Sequence, residues 1–163
     1  MSVESYRVRI SKDHLVFCSS HFITFDGDQC EPLHGHNFRA EIEVQGPLDE
    51  NQYVVDFIAL MKHAKAIRSE LDHRVLLPAK SKHIVVEEHG AALRVRCKER
   101  EWSFPKSDCL VLPVENVTTE LLARHIGLQL LEALQREHHF TPQVVRVELE
   151  EGVGNSAIWE WRN

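Results

Sequence analysis

The chain is predicted to fold as an α+β domain, an antiparallel sheet with two helices packed on one face and a small β insertion. Three observations predict this. Apolar and polar residues alternate over 4–11, 36–45 and 145–150, the period of a strand with one buried face. Two longer stretches, after Asp56 and after Thr119, place apolar residues three and four positions apart, the period of an amphipathic helix. Their order is two strands, a helix, short β runs, a second helix and two strands, which gives two hairpins with helices packed against them.

The elements follow in order. Tyr6, Val8 and Ile10 alternate with Arg7, Arg9 and Ser11 as a first strand, and Leu15 to Phe22 continues it across a bulge at Lys12-Asp13. Phe38, Ala40, Ile42 and Val44 alternate with Arg39, Glu41 and Glu43, and Gly46-Pro47 ends that strand. Asp56 is placed as N-cap of a helix whose stripe is Phe57, Leu60, Met61, Ala64, Ile67 and Leu71, stopping near Asp72-His73. Residues 83–104 carry Ile84-Val85-Val86, Leu93-Arg94-Val95 and Trp102-Ser103-Phe104 around a turn at His89-Gly90, which predicts an added hairpin or meander. A second helix begins after Asn116-Val117-Thr118-Thr119. Glu120 suits the positive end of its dipole, and Ala123, Ile126, Leu130 and Leu134 form its stripe. It ends near His138-His139, and Val145, Val147 and Leu149 then form a strand with which Ala157–Trp161 pairs back.

With 163 residues, 43% hydrophobic and 27% charged, the chain is expected to form one domain over 1–163 with a full core. A formal charge of −6 without a basic run argues against a nucleic-acid partner, and no apolar stretch is long enough to span a membrane. Met1-Ser-Val-Glu-Ser-Tyr6 has neither a basic nor an apolar signal region, which predicts a cytoplasmic protein. Cys18, Cys30, Cys97 and Cys109 show no CxxC spacing and are expected as reduced thiols.

The chemistry centres on three histidines. His34 and His36 share the parity of the buried set Phe38, Ala40 and Ile42, so both rings point inward, about 7 Å apart along the strand. His21 shares the parity of Leu15 and Phe17 and can approach from a neighbouring strand, while Gly35 lets the backbone come close between the two ligands. Three imidazoles without a fourth protein ligand is the pattern of a catalytic Zn2+ site with one open position. Cys30 lies in a polar loop just before the pair, where a nearby cation would favour thiolate. Asp72 beside His73 can fix the imidazole tautomer and form an acid/base pair, although an Asp-His dipeptide read alone is usually a helix C-terminal cap. Glu151 continues the inward parity of Val145, Val147 and Leu149, so it is either solvated past the strand end or held for a ligand with two parallel N–H donors, such as a pterin or guanine edge.

The ordered set Phe17-x-x-x-His21, Cys30-x-x-x-His34-Gly35-His36-Asn37-Phe38, Val55-Asp56-Phe57, Leu71-Asp72-His73, Asn116-x-Thr118-Thr119-Glu120 and Glu151 with Asn155-Ser156-Ala157 resembles the 6-pyruvoyl-tetrahydropterin synthase / 6-carboxytetrahydropterin synthase family. The resemblance implies a T-fold (tunnelling fold) whose subunits join sheets into a homo-oligomer, a trimer or a hexamer of two trimers, with active sites between subunits. It implies Zn2+ on His21, His34 and His36, Cys30 as proton-abstracting residue, and Asp72 with His73 as acid/base dyad. It also implies Glu151 as pterin anchor, helped by Thr118, Thr119 or Glu120. The Cys-x3-His-Gly-His spacing looks like that of the carboxy-forming lyases. Those enzymes convert 7,8-dihydroneopterin triphosphate to 6-carboxy-5,6,7,8-tetrahydropterin in 7-deazaguanine (queuosine) biosynthesis. Pyruvoyl-forming chemistry is one alternative. Glu31, directly after Cys30, adds the Glu-x-x-His-Gly-His pattern of relatives that cleave the side chain to 6-hydroxymethyl-dihydropterin on the folate route. A zinc- and pterin-binding protein without turnover is the non-enzymatic alternative. A triphosphate would need local cations, for which Arg74, Lys80 and Lys82 are candidates.

Overall fold

A computed structural model describes residues 4–163; residues 1–3, part of the stretch read above for a targeting signal, lie outside the described residues. The frame is a seven-stranded sheet. Its organiser is the thirteen-residue strand β5, which is long enough to pair with two successive strands on one side. The strands and helices, in chain order, are β1 (Tyr6–Ile10), β2 (Val16–His21), β3 (Thr24–Phe25), β4 (Gln29–Cys30), β5 (His34–Gly46), α1 (Phe57–Leu71), β6 (Arg74–Pro78), β7 (Val85–His89), β8 (Ala92–Cys97), β9 (Arg100–Pro105), β10 (Cys109–Leu112), α2 (Thr119–His138), β11 (Val144–Gly152) and β12 (Asn155–Arg162). The main sheet runs β10-β6-β2-β5-β11-β12, with β1 also on β5.

Strands β1 and β2 lie end to end along β5, from Tyr6 opposite Gly46 to Ile10 opposite Ile42, then from Val16 opposite Arg39 to His21 opposite His34. The expected bulge is a short 3-10 turn at Lys12–His14, after which the Leu15 carbonyl accepts from Ala40 N–H at 3.0 Å. The last hairpin is as expected, β11 on β5 and β12 on β11.

The centre of the sheet is antiparallel, but β6 pairs parallel to both β2 and β10. Neither β6 nor β10 is visible in the sequence pattern. Val75-Leu76-Leu77 and Leu110-Val111-Leu112 are short apolar runs without alternation, as strands of parallel sheets often are. No helix among the described residues is long and apolar enough to cross a membrane.

Both helices cover one face of the sheet. Leu60, Ala64, Ile67 and Leu71 of α1 and Leu122, Ala123, Ile126, Leu130 and Leu134 of α2 bury against Phe17, Phe38, Ile42, Val44, Val145 and Val147. Asp56 caps α1 as expected, its side chain accepting from Ile58 N–H at 2.9 Å. Thr118 caps α2 through Oγ1, 3.4 Å from the Leu121 nitrogen. Helix α2 approaches β12 closely because Gly127 has no side chain; a Cβ there would stand 2.0 Å from the Trp159 ring. The insertion is a three-stranded meander, β7-β8-β9, with its own small core. Leu93, Val95 and Cys97 pack there with Phe22, Leu77 and Ile84.

The opposite face of the sheet carries charge. Glu43 is 7% exposed and stands directly across from Arg9 and Arg146 in register. Arg9 donates to it at 2.9 Å and Arg7 at 3.1 Å.

Candidate active site

The three histidines meet where β2 ends and β5 begins. His21 and His34 are register partners, and strand alternation carries the His36 ring to the same face. Ring centroids are 4.7 Å apart for His21–His34, 5.3 Å for His21–His36 and 4.8 Å for His34–His36. Phe38 closes the inner side, its ring centroid 5.6 Å from that of His21.

Backbone carbonyls fix two of the tautomers. His21 Nδ1 donates to the Val117 carbonyl at 2.8 Å, and His34 Nδ1 to the Pro32 carbonyl at 2.9 Å. Each bond leaves Nε2 as a lone pair, the second-sphere arrangement that orients metal-binding imidazoles. Burial, helped by the neighbouring His34 and His36, pushes His21 below the usual histidine range against the Val117 bond and the charge of Glu151.

Glu151 reaches the same point from the end of β11, where the ladder shifts register between Glu150 and Gly152. Its Oε1 is 3.1 Å from His21 Nε2 and 3.4 Å from His36 Nε2. One donor atom from each of His21, His34, His36 and Glu151 falls within 4.8 Å of the others. The buried Nε2 atoms of His21 and His36 have no hydrogen-bond partner. Orphaned buried nitrogens aimed at one point beside a carboxylate are costly unless a cation satisfies them, so the donor set fits a divalent metal.

Around this point lies a cleft of about 420 Å³, walled also by Ile23, Glu31, Thr118, Thr119 and Glu120. Glu31 Oε2 stands 3.8 Å from His34 Nδ1. A second hollow of about 300 Å³ shares Thr119, Glu120 and Glu151 and continues along Gly154–Ala157. No lysine or arginine lines either one among the described residues. Arg74 instead bonds the Ser107 carbonyl, and Lys80 and Lys82 line neither hollow.

Cys30 is placed differently from the sequence expectation. Adjacent side chains in extended backbone point to opposite sides, and Glu31 takes the cleft. The Cys30 thiol turns toward the meander core, donating to its neighbour's carbonyl at 3.6 Å and packing with the cluster that holds Cys97. Burial and the Cys97 thiol push it up to about 12. The expected rim position beside a cation is therefore not where the thiol lies, because the insertion supplies an apolar cover that the loop's own residues do not announce.

Asp72 and His73 form the expected pair but away from the cleft. Asp72 Oδ1 is 3.0 Å from His73 Nδ1 and accepts from Cys18 N–H at 2.9 Å, while Oδ2 accepts from Arg68 at 2.7 Å. Burial pushes the Asp72 carboxyl up, but these donors and charges outweigh it and hold it below the usual range. His73 adopts a left-handed φ of 59°, and its side chain is 81% exposed. The pair borders a separate surface hollow with Cys18, Arg74 and Asp108.

One positioning residue has no assigned role in the sequence reading. The Asn116 amide brackets the Thr24 backbone, donating to its carbonyl at 2.9 Å and accepting from its N–H at 3.2 Å. It thereby ties the β3–β4 loop, and Glu31 beyond it, to the start of α2. The Asn-x-Thr-Thr spacing marks the residue, but its partner is 92 positions away.

Residues 9–161 match the family model of 6-pyruvoyl tetrahydropterin synthase. The chain is 29% identical over 146 residues to the provisionally named 6-carboxy-5,6,7,8-tetrahydropterin synthase of Methanocaldococcus jannaschii, covering 89% of each. A shorter match, 43% over 49 residues, is to the dihydroneopterin monophosphate aldolase of Pyrococcus furiosus; it covers 30% of this chain and 42% of that one. The 6-pyruvoyl tetrahydropterin synthase of Plasmodium vivax superposes with a TM-score of 0.89 at 27% identity, over 99% of this chain and 100% of that one. A variant of the Plasmodium protein in which a glutamate described as a catalytic residue is replaced by alanine superposes equally well. A fold shared end to end and a family match across nearly the whole length lead to one conclusion: the chain belongs to the 6-pyruvoyl tetrahydropterin synthase family of pterin-processing lyases.

Proposed function

We propose that the chain is a zinc-dependent lyase that cleaves the C6 side chain of a dihydroneopterin phosphate, with Glu31 moving the proton. The observation that carries this reading is the placement of neighbours: Glu31 faces the histidine cleft, and the Cys30 thiol faces away and is pushed up to about 12. His21, His34 and His36 would hold Zn2+, which leaves a coordination position open for the substrate. When bound, the ion supplies Lewis acidity to the side-chain hydroxyls of the substrate.

The protein's own groups account for the rest. Glu31 takes the proton of the 2′-hydroxyl as the C1′–C2′ bond breaks. The electron pair passes to C1′ and into the adjacent C6=N5 imine, and a proton returns to C1′. The products are 6-hydroxymethyl-7,8-dihydropterin and a two-carbon aldehyde that keeps the phosphate. Glu120 and Glu151 can each accept the paired N–H donors of the amino-pyrimidinone edge, with Thr118 and Thr119 beside them.

The Asp72–His73 pair is preformed but remote from this cleft, and a second copy of the chain would supply it. Sheet edges at β10 and β12 are available for such a closed homo-oligomer, a trimer or a hexamer. The same association would bring cations to a triphosphate. A cytoplasmic location is part of this reading, and the four free cysteines support it, since a reducing compartment keeps thiols unpaired.

The second reading keeps Cys30 as the proton-abstracting group and forms 6-carboxy-5,6,7,8-tetrahydropterin, on the route to 7-deazaguanines. The name of the Methanocaldococcus relative and the Cys-x3-His-Gly-His spacing favour it. Mass spectrometry of the products of zinc-loaded protein with dihydroneopterin triphosphate decides. The expected product is the hydroxymethyl pterin, with Glu31→Gln slowed at least about 100-fold and Cys30→Ala within a few-fold of wild type. Acetaldehyde release that Cys30→Ala abolishes would establish the second reading. Tight pterin binding without turnover would reject both.

A further inference from the structure

We propose that His63, Glu137 and His138 form a second site for a divalent transition metal of the zinc type, tying α1 to the C-terminal turn of α2. His63 lies on the buried stripe of α1 between Leu60 and Ala64, where an apolar residue is the ordinary occupant, and is only 6% exposed. It faces another histidine. The Nε2 atoms of His63 and His138 are 2.9 Å apart, with ring planes crossing at 78°. Only one hydrogen can stand between two nitrogens at that distance, so at least one ring presents a bare lone pair to the other.

Glu137 completes the group. Its Oε2 is 3.7 Å from His63 Nε2, while Oε1 is occupied by Arg136 at 3.1 Å. One donor atom from each of the three residues lies within 4.8 Å of the others. Two imidazoles and a carboxylate are a common zinc donor set. At zinc–nitrogen distances of about 2.05 Å, the present nitrogen separation subtends an angle of about 90°, and opening it by about half an ångström gives the tetrahedral angle. Glu137 and His138 are exposed at the solvent side, which leaves a position for water. His138 is the last residue of α2, whose negative dipole end favours a cation. Lys62 and Arg136 stand near enough to oppose the charge, so the site is expected to bind less tightly than the histidine cleft.

The group is not part of the cleft. Thr119 and His138 are the two ends of α2, about 28 Å apart along its axis. A metal there would staple the helix pair rather than touch substrate, and the inference stands whether or not the proposed reaction is correct.

The test is metal stoichiometry of the full chain. Metal-free protein titrated with Co2+, followed by its visible spectrum and by elemental analysis after gel filtration, should hold two ions per chain. His138→Gln should hold one and keep the cleft ion. Glu137→Gln should bind the second ion at least about tenfold more weakly. His89→Gln, altering an exposed histidine in the meander, should still hold two. The second equivalent should raise the melting temperature of wild type and not that of His138→Gln. Wild type that holds a single ion in excess metal, with that ion retained in full by His138→Gln, would overturn the proposal. So would two ions that His138→Gln leaves in place, or a loss equally produced by His89→Gln.

Discussion

The burial of Cys30 can be read directly from its chemistry. An ordinary thiol at 9.0 is about one-tenth thiolate at pH 8, whereas one at about 12 is about one part in ten thousand thiolate. Since alkylation proceeds through the thiolate, Cys30 should react with iodoacetamide about a thousandfold more slowly than an ordinary thiol. Cys18, exposed on the outer face of β2, is the internal reference. The perturbation that tests the cause is Cys97→Ala. It removes the second contribution but leaves burial, the first, so Cys30 should accelerate by less than about tenfold and remain far slower than Cys18. Native protein labelled for increasing times at pH 8, digested and quantified by peptide mass gives both rates. Equal rates for Cys30 and Cys18 would refute the reasoning, because the thiol would then be reaching solvent or the cleft. Glu31 would in that case lose its claim to be the sole proton-moving side chain of the loop.

Three further outcomes follow from particular contacts. Gly127→Ala gains about 1 kcal/mol of helix propensity, but its methyl would stand 2.0 Å from the Trp159 ring. Overpacking should win and lower stability by a net 1–2 kcal/mol or so in urea unfolding, and a more stable variant would show that α2 is not seated on β12 as described. Burial pushes Glu43 up, but the Arg9 hydrogen bond and the charges of Arg7, Arg9 and Arg146 outweigh it, holding the carboxyl below its ordinary 4.5. A lowered native pKa gives stability that is complete above the unfolded value and lost as pH falls through the folded one. Glu43→Gln should therefore cost roughly 1.5–3 kcal/mol at pH 7 and progressively less below about pH 4.5; a constant cost down to pH 2 would exclude ionisation as its source. His34→Ala should lose the cleft ion while leaving the fold intact, because His34 is half-buried at a strand end; elemental analysis and circular dichroism check the two halves separately.

What the sequence made legible was parity, and what it hid was contact. Alternation along β5 placed His34 and His36 on the face of Phe38 and Ala40, and the same count along β11 placed Glu151 with Val147 and Leu149. With His21 from β2, these side chains arrive at one point because β2 and β11 flank β5 in register; parity left open whether Glu151 was solvated, and the pairing of the strands brings it to the histidines. The periodicity of both helices was equally plain, with Asp56 as the cap of the first; the Thr118 cap of the second emerged only in the structure. Parity failed where no long strand carried it. Strands β6 and β10 are short apolar runs, and β3 and β4 are two residues each. Cys30 ends β4 and Glu31 follows it, and nothing in the local pattern tells which of the two adjacent side chains lines the histidine cleft. That choice is made by Leu93, Val95 and Cys97 of an insertion more than sixty residues later, which provides an apolar surface for the thiol and leaves the carboxylate to the polar cleft. Which of the two neighbouring side chains, thiol or carboxylate, lines the histidine cleft is thus fixed by the packing of a meander that lies outside the histidine-bearing strands altogether.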